Sequence, residues 1–319
     1  MQAFVFDGQS AQVKTVPKPT SATEALIRVH LAGICTTDRE ILKGYGQFRG
    51  TLGHEFVGTV EACPDPGWEG RRVVGEINCP CRSCTPCQNG DSIHCPSRQV
   101  LGIHDKDGAM AEYCLLPVAN LHEVPETLSD RQAVFAEPLA AAVAILQRIP
   151  IPPSQTVAVI GDGKLGLLVA QVLRLNGAHV LLIGRHPEKW TRMGNHAIEG
   201  MKPEEWPTGQ KVDRVVECSG SPEGLRFALD LVRPRGKIIM KSTVHASYIL
   251  DFSRLALHEI SLEGSRCGPF EPALRLMSRG LIMVESLIDD VFALEQARDA
   301  LAQAMKPGAL KILLDTKNH

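Results

Sequence analysis

The hydrophobic and polar positions of this chain change rhythm once, shortly after Glu137. Before that point Ile27, Val29 and Leu31 alternate with Arg28 and His30, the period of two that marks a half-buried strand. Gly53, Gly58, Gly67, Gly70 and Gly75 punctuate the next stretch, and a second strand signal at 111–116 stops at Pro117. The first part is therefore predicted to be all-β, with many turns. After Glu137, residues 140–146 are good helix formers, and Pro150, Pro152 and Pro153 close that helix. Short apolar strands then alternate with helices. The strands are expected at Thr156–Ile160, 180–183, 212–217 and 237–240, the helices at about 164–176 and about 223–231. Gly177 stands where a left-handed cap ends the first of these helices. Alternation of this kind implies a parallel, doubly wound sheet, so the fold class is α/β with a β-rich first domain. The stretch 193–206 holds Gly194, Gly200 and Pro203, with Pro207 just beyond, and excludes a long helix.

A length of 319 residues suits about two domains. Net charge is -2, which argues against nucleic acid or an anionic membrane surface as partner. No run of about eighteen apolar residues is present, and the N-terminus lacks the basic and apolar regions of an export signal, so a cytoplasmic location is expected. In that setting the ten cysteines read as metal ligands and reduced thiols. Five of them crowd between Cys79 and Cys95.

Two motifs carry chemistry. Cys81, Cys84, Cys87 and Cys95 have the spacing C-x2-C-x2-C-x7-C, which suits the closed, all-sulfur coordination of a structural zinc, with Cys79 a bystander. The turn Gly161-Asp162-Gly163-Lys164-Leu165-Gly166 follows a strand and opens a helix. Its glycines permit a tight turn and close approach of backbone to pyrophosphate, and the helix N-terminus offers unpaired N–H groups to the phosphates. The next strand decides between the coenzymes. NAD enzymes usually end it with an acid that binds the ribose 2′-hydroxyl. Here it ends in Gly184-Arg185-His186, with Lys189 nearby, so NADP is favoured and NAD is the alternative.

Gly33-Ile34-Cys35-Thr36-Thr37-Asp38, Gly53-His54-Glu55, the four-cysteine lobe, Ala136-Glu137-Pro138, the glycine turn and the segment 264–269 occur in one order. In that order the chain resembles the zinc-dependent alcohol dehydrogenases of the medium-chain dehydrogenase/reductase family, nearest in ligand pattern to the polyol and threonine dehydrogenase branches. The resemblance implies a GroES-like barrel over 1–138 that carries the zinc lobe, a Rossmann domain over 139–266, and a return segment over 267–319. It implies a catalytic zinc on Cys35, His54 and Glu137, with Glu55 a further acidic group at the metal and Asp38 orienting the imidazole. Thr37 takes the hydroxyl relay position, and Glu40 stands where many relatives carry an outer histidine. Cys218, Ser219 and Gly220 are implied beside the nicotinamide half, and Lys311 at the pyrophosphate.

The chemistry so implied is hydride exchange between an alcohol and a nicotinamide coenzyme, the zinc drawing the alcohol's pKa toward neutrality. The substrate would be a secondary alcohol, polyol or amino alcohol. A homodimer or homotetramer is implied through a sheet edge at 259–263. The rival readings are a zinc-independent quinone reductase on the same fold, which the intact ligand sets disfavour, and a non-catalytic, zinc-stabilised dinucleotide-binding regulator.

Overall fold

The computed structural model describes residues 1–193, 198–242 and 249–317. The chain divides into two compact units, one of residues 1–137 with 288–319, the other of residues 138–287.

The first unit is organised around the strand Glu24–Gly33, whose Ala25, Ile27, Val29 and Leu31 are buried as the alternation requires. Each such aliphatic side chain contributes about 1.5–3 kcal/mol on burial. The strand is the hub of a seven-stranded sheet. It pairs antiparallel with Glu55–Ala62, with Tyr113–Pro117 along its first half, and with Lys311–Asp315 at its end. Its last residue, Gly33, faces both Glu55 and Leu313. One end of this strand therefore gathers chain segments that are far apart in sequence. A short helix, Thr36–Leu42, follows the hub strand directly. The period-two pattern gave no sign of it, because its start is written in a capping pair rather than in apolar spacing.

The second unit holds a six-stranded parallel sheet in the order Glu199–Met201, His179–Ile183, Thr156–Ile160, Val212–Glu217, Val232–Met240, Ser261–Gly264. The first strand in sequence lies centrally and the chain winds outward in both directions. The switch point is between Thr156–Ile160 and Val212–Glu217, beside the carboxyl ends where dinucleotides bind in such sheets. Ala158, Ile160, Leu181, Val215 and Ile238 of the strands pack with Leu225, Ala228 and Leu229 of the helix Pro222–Leu231. Gly177 takes φ +85°, the left-handed cap its position demands. The strand expected at 237–240 begins earlier, at Val232, because Pro234 and Gly236 read as a turn yet sit at a register shift against Val212–Glu217. Gly194 of the helix-poor stretch lies outside the described residues; beyond it come a three-residue strand and a 3₁₀ turn.

The return to the first unit starts at Ile288 rather than at 267. Two contacts hold 267–287 in the second unit. Gly268 packs so closely on the carbonyl of Ala140 that a Cβ would overlap it, and the buried Gln171 side chain exchanges two hydrogen bonds with the backbone of Met283. Among the described residues no helix is long and apolar enough to cross a membrane.

Candidate metal centres and coenzyme turn

Cys35, His54 and Glu55 bring a sulfur, a ring nitrogen and a carboxylate oxygen within 4.8 Å of one another. Cys35 caps the helix Thr36–Leu42, and Asp38 completes the cap: its Oδ2 accepts the Cys35 N–H at 2.7 Å. The other oxygen of Asp38 stands 3.5 Å from His54 Nδ1. One buried carboxylate thus holds the cysteine backbone and faces the histidine ring, as carboxylates behind metal-bound histidines do. Burial opposes a charge on His54, but the charges of Asp38 and Cys35 outweigh it and hold the imidazole well above its ordinary pKa. The donors are thus arranged to attract a cation, and the set of thiolate, imidazole and carboxylate suits zinc.

Glu55 is 1% exposed and its Oε2 pairs with the ammonium of Lys311, which is 0% exposed and lies over the ring of Phe135. Gly33 makes the room, since a Cβ there would overlap Glu55 Oε2. This corrects one expectation: Lys311, anticipated at the coenzyme pyrophosphate, is sealed in the first unit beside the metal donors. Its pairing with a carboxylate 256 residues away follows from strand register and has no local signal.

Glu137 sits half-buried in the first turn of the helix Ala136–Arg148, and its carboxylate does not join the 4.8 Å group. Glu55 is the carboxylate of that group. Thr37 Oγ1 lies 3.8 Å from the Cys35 sulfur, next to the donors. Glu40 is buried and accepts from Lys43 Nζ at 2.9 Å, one turn along the same helix and largely exposed.

The four lobe cysteines form the second group of donors. Their sulfurs are 3.4 Å (Cys84–Cys87), 3.7 Å (Cys84–Cys95) and 3.6 Å (Cys81–Cys95) apart. Bonds of about 2.3 Å to one tetrahedral ion put sulfurs about 3.8 Å apart, so the spacing fits zinc and is far too long for disulfides. Hydrogen bonds from Ser83 draw Cys81 down to about 5. A backbone N–H at Cys87 pulls Cys84 the same way, but burial and the neighbouring thiols push it up to about 12. A divalent ion removes that competition by supporting thiolates together. The lobe is anchored through Arg82, which takes φ +61° and donates to Asn120 at 2.9 Å. Cys79 stands apart from the four, buried against the carbonyl of Ile77.

In the second unit Gly161 takes φ +109° and leads from the strand Thr156–Ile160 into the helix Lys164–Leu175. A Cβ on Gly166 would overlap the Gly161 carbonyl, whereas a Cβ on Gly163 would meet only open space. The turn is closed underneath and open above, as a pyrophosphate cradle must be. Lys164 and Leu165 begin the helix, half-buried. Gly184 ends the next strand, buried, and Arg185 is exposed beside it. Lys189 departs from expectation: it is 5% exposed and pairs with Asp162, so it is spent inside the fold. Asp162 itself escaped the sequence reading. Its signal was an acid inside the glycine turn together with a glycine where the next strand should carry one. Cys218 is half-buried beneath Gly161, with its thiol pushed up by burial; Ser219 and Gly220 donate their N–H groups to Glu217.

Residues 21–126 match the alcohol dehydrogenase GroES-like domain, and residues 165–279 match the zinc-binding dehydrogenase domain. The sorbitol dehydrogenase of Halalkalibacterium halodurans is 30% identical over 326 residues, covering 95% of this chain and 94% of its own. A zinc-binding dehydrogenase of Sinorhizobium meliloti 1021, solved bound to NADP, is 29% identical with a TM-score of 0.89, covering 98% of each chain. RspB of Escherichia coli CFT073, solved with NADH, is 27% identical with a TM-score of 0.88, covering 99% of each. The chain belongs to the zinc-dependent alcohol dehydrogenases of the medium-chain dehydrogenase/reductase family. It is an oxidoreductase that interconverts alcohols and carbonyls with a nicotinamide coenzyme.

Proposed function

We propose that this enzyme oxidises a polyhydroxylated or amino alcohol with NADP. The observation that carries the reading is the convergence of Cys35, His54 and Glu55, with the carboxylate of Asp38 holding the Cys35 backbone and facing the His54 ring. These three residues would hold the catalytic zinc, and the four lobe cysteines a structural one. When bound, the catalytic ion supplies a Lewis acid that stabilises negative charge on the substrate oxygen. Thr37 Oγ1 would accept the substrate proton as it gives up its own hydroxyl proton, and the Glu40 carboxylate would receive that proton further out and release it to solvent. Asp38 keeps the imidazole oriented throughout, and Lys311 holds Glu55 in place. Glu137, in the first turn of Ala136–Arg148, would be a further carboxylate for the ion.

The polyol direction is supported by the sorbitol dehydrogenase relative and by a carboxylate among the donors. The glycine at 184 and the exposed Arg185 support NADP, as does the NADP-bound relative, while the NADH-bound relative keeps NAD as the alternative. Reduced, metal-ready thiols support a cytoplasmic setting. The edge strand Ser261–Gly264 exposes Leu262, and Phe252 and Leu257 nearby are 73% and 80% exposed, which supports subunit pairing along that edge. Light scattering that found only monomer would refute the pairing.

The test of the activity is coenzyme absorbance with a panel of polyols, amino alcohols and their carbonyl products, before and after chelation and zinc return. Turnover that chelation abolishes and zinc restores is the expected result. Turnover indifferent to metal, or none with any alcohol, would overturn the reading.

A further inference from the structure

Gly184 ends the strand His179–Ile183 where a Rossmann strand usually presents the acid for the adenosine ribose. A Cβ at this position would overlap the side chain of Asp162. The carboxylate beside this strand end is therefore present, but it arrives from the glycine turn. Asp162 is 7% exposed. Its Oδ2 accepts the His186 N–H at 2.6 Å, and His186 Nδ1 stands 3.1 Å from both oxygens. An ionised carboxylate only accepts, so Nδ1 carries the proton. Lys189 Nζ lies 3.6 Å from Oδ1 and is itself buried. Arg185, between these partners in sequence, is exposed and makes no ion pair among the described residues.

We propose that the Asp162–Lys189 pair sets coenzyme choice, an inference that rests on the assignment of NADP to this turn. Lys189 cancels the charge of Asp162, so the strand end presents the net positive charge of Arg185 and accepts a ribose 2′-phosphate. Without the Lys189 side-chain charge, as in Lys189→Met, the same place presents the Asp162 carboxylate unopposed by that charge, which repels that phosphate and suits a ribose diol. Asp162 and Lys189 act here as positioning and specificity residues; neither reaches the reacting atoms.

The test is direct titration of zinc-loaded protein with NADPH and NADH, followed by coenzyme fluorescence, at low and moderate salt. Lys189→Met should lower the preference for NADPH over NADH about fivefold, and Asp162→Asn should raise it by a similar factor. Salt should shrink both changes. Lys189→Arg, which keeps the charge, should hold the wild-type ratio, and with Lys189→Met it decides the matter should Asp162→Asn not fold. A pair that serves only to brace the turn would weaken both coenzymes by one factor; that result, or both substitutions shifting the ratio the same way, overturns the inference. Wild-type protein that binds neither coenzyme instead removes the coenzyme reading itself.

Discussion

The two groups of metal donors solve the problem of charge in opposite ways. The lobe collects four thiols from fifteen residues of chain, and the ion it is shaped for must balance the thiolates gathered there. The Cys35, His54 and Glu55 group is assembled from distant strands and includes its own buried cation, Lys311, on one of its donors. A closed site can be rigid only when loaded, and it then contributes folding energy. A site meant for turnover gains from donors that stay ordered independently of the ion, and a buried ammonium behind a carboxylate provides that order.

The largest expected effect lies in the lobe. Cys95→Ser removes a buried member of the four-sulfur group. Zinc content should fall by about one ion per chain, and thermal denaturation should move down by about 10 °C or more, since structural zinc sites contribute on the order of 10 kcal/mol in small domains. Metal analysis with calorimetry checks this, and a variant that keeps both zinc content and melting temperature would erase the contrast.

Lys311→Met comes next. It strands the Glu55 charge in the core, which costs about 3–5 kcal/mol when one partner of a buried pair is removed. Urea denaturation should show the full loss in metal-free protein and a smaller one in zinc-loaded protein, because the ion meets the charge that Lys311 no longer meets. Equal losses in both states would mean that Glu55 serves Lys311 alone.

How much of this was readable depends on distance along the chain. The lobe and the glycine turn are local, their ligands and glycines lie within one or two turns of chain, and spacing alone carried them. The parallel sheet was legible for the same reason, its strands being short apolar runs between helices. Lys311 was misread because its partner is set by the register of Lys311–Asp315 and Glu55–Ala62 on either side of Gly33. Lys189 was misread because Asp162 reaches across from a different turn. Residues 267–287 stayed with the second unit through Gln171 and Gly268, contacts that no periodicity encodes.

A smaller effect should separate chemistry from architecture in the catalytic group. Thr37→Val removes the hydroxyl beside the Cys35 sulfur and leaves the donors, the cap and the Glu55–Lys311 pair in place. Turnover should fall by about a hundredfold while zinc content and urea midpoint hold. Undiminished turnover takes Thr37 out of the proton path, and lost zinc would make it part of the metal's support.

The smallest expected effect isolates charge pairing from metal altogether. Asp130 accepts from His30 Nδ1 at 2.9 Å and from Arg72 Nη1 at 3.2 Å, with Lys317 at 3.4 Å, all within the first unit and none of them a member of either donor group. Burial pushes its carboxyl up, but the His30 hydrogen bond and the charges of His30, Lys317 and Arg72 prevail and hold it at about 2. A carboxyl whose pKa is lower folded than unfolded stabilises the fold above the unfolded value, and that stability is lost as pH falls through the folded value. The window therefore runs from about pH 4 down to about pH 2. In metal-free protein, where acid cannot act by stripping zinc, the urea midpoint should drop across this window, and Asp130→Asn should flatten part of the drop. An unchanged slope in the variant would shift the acid sensitivity to other carboxylates, and a slope confined to zinc-loaded protein would return it to the metal ligands.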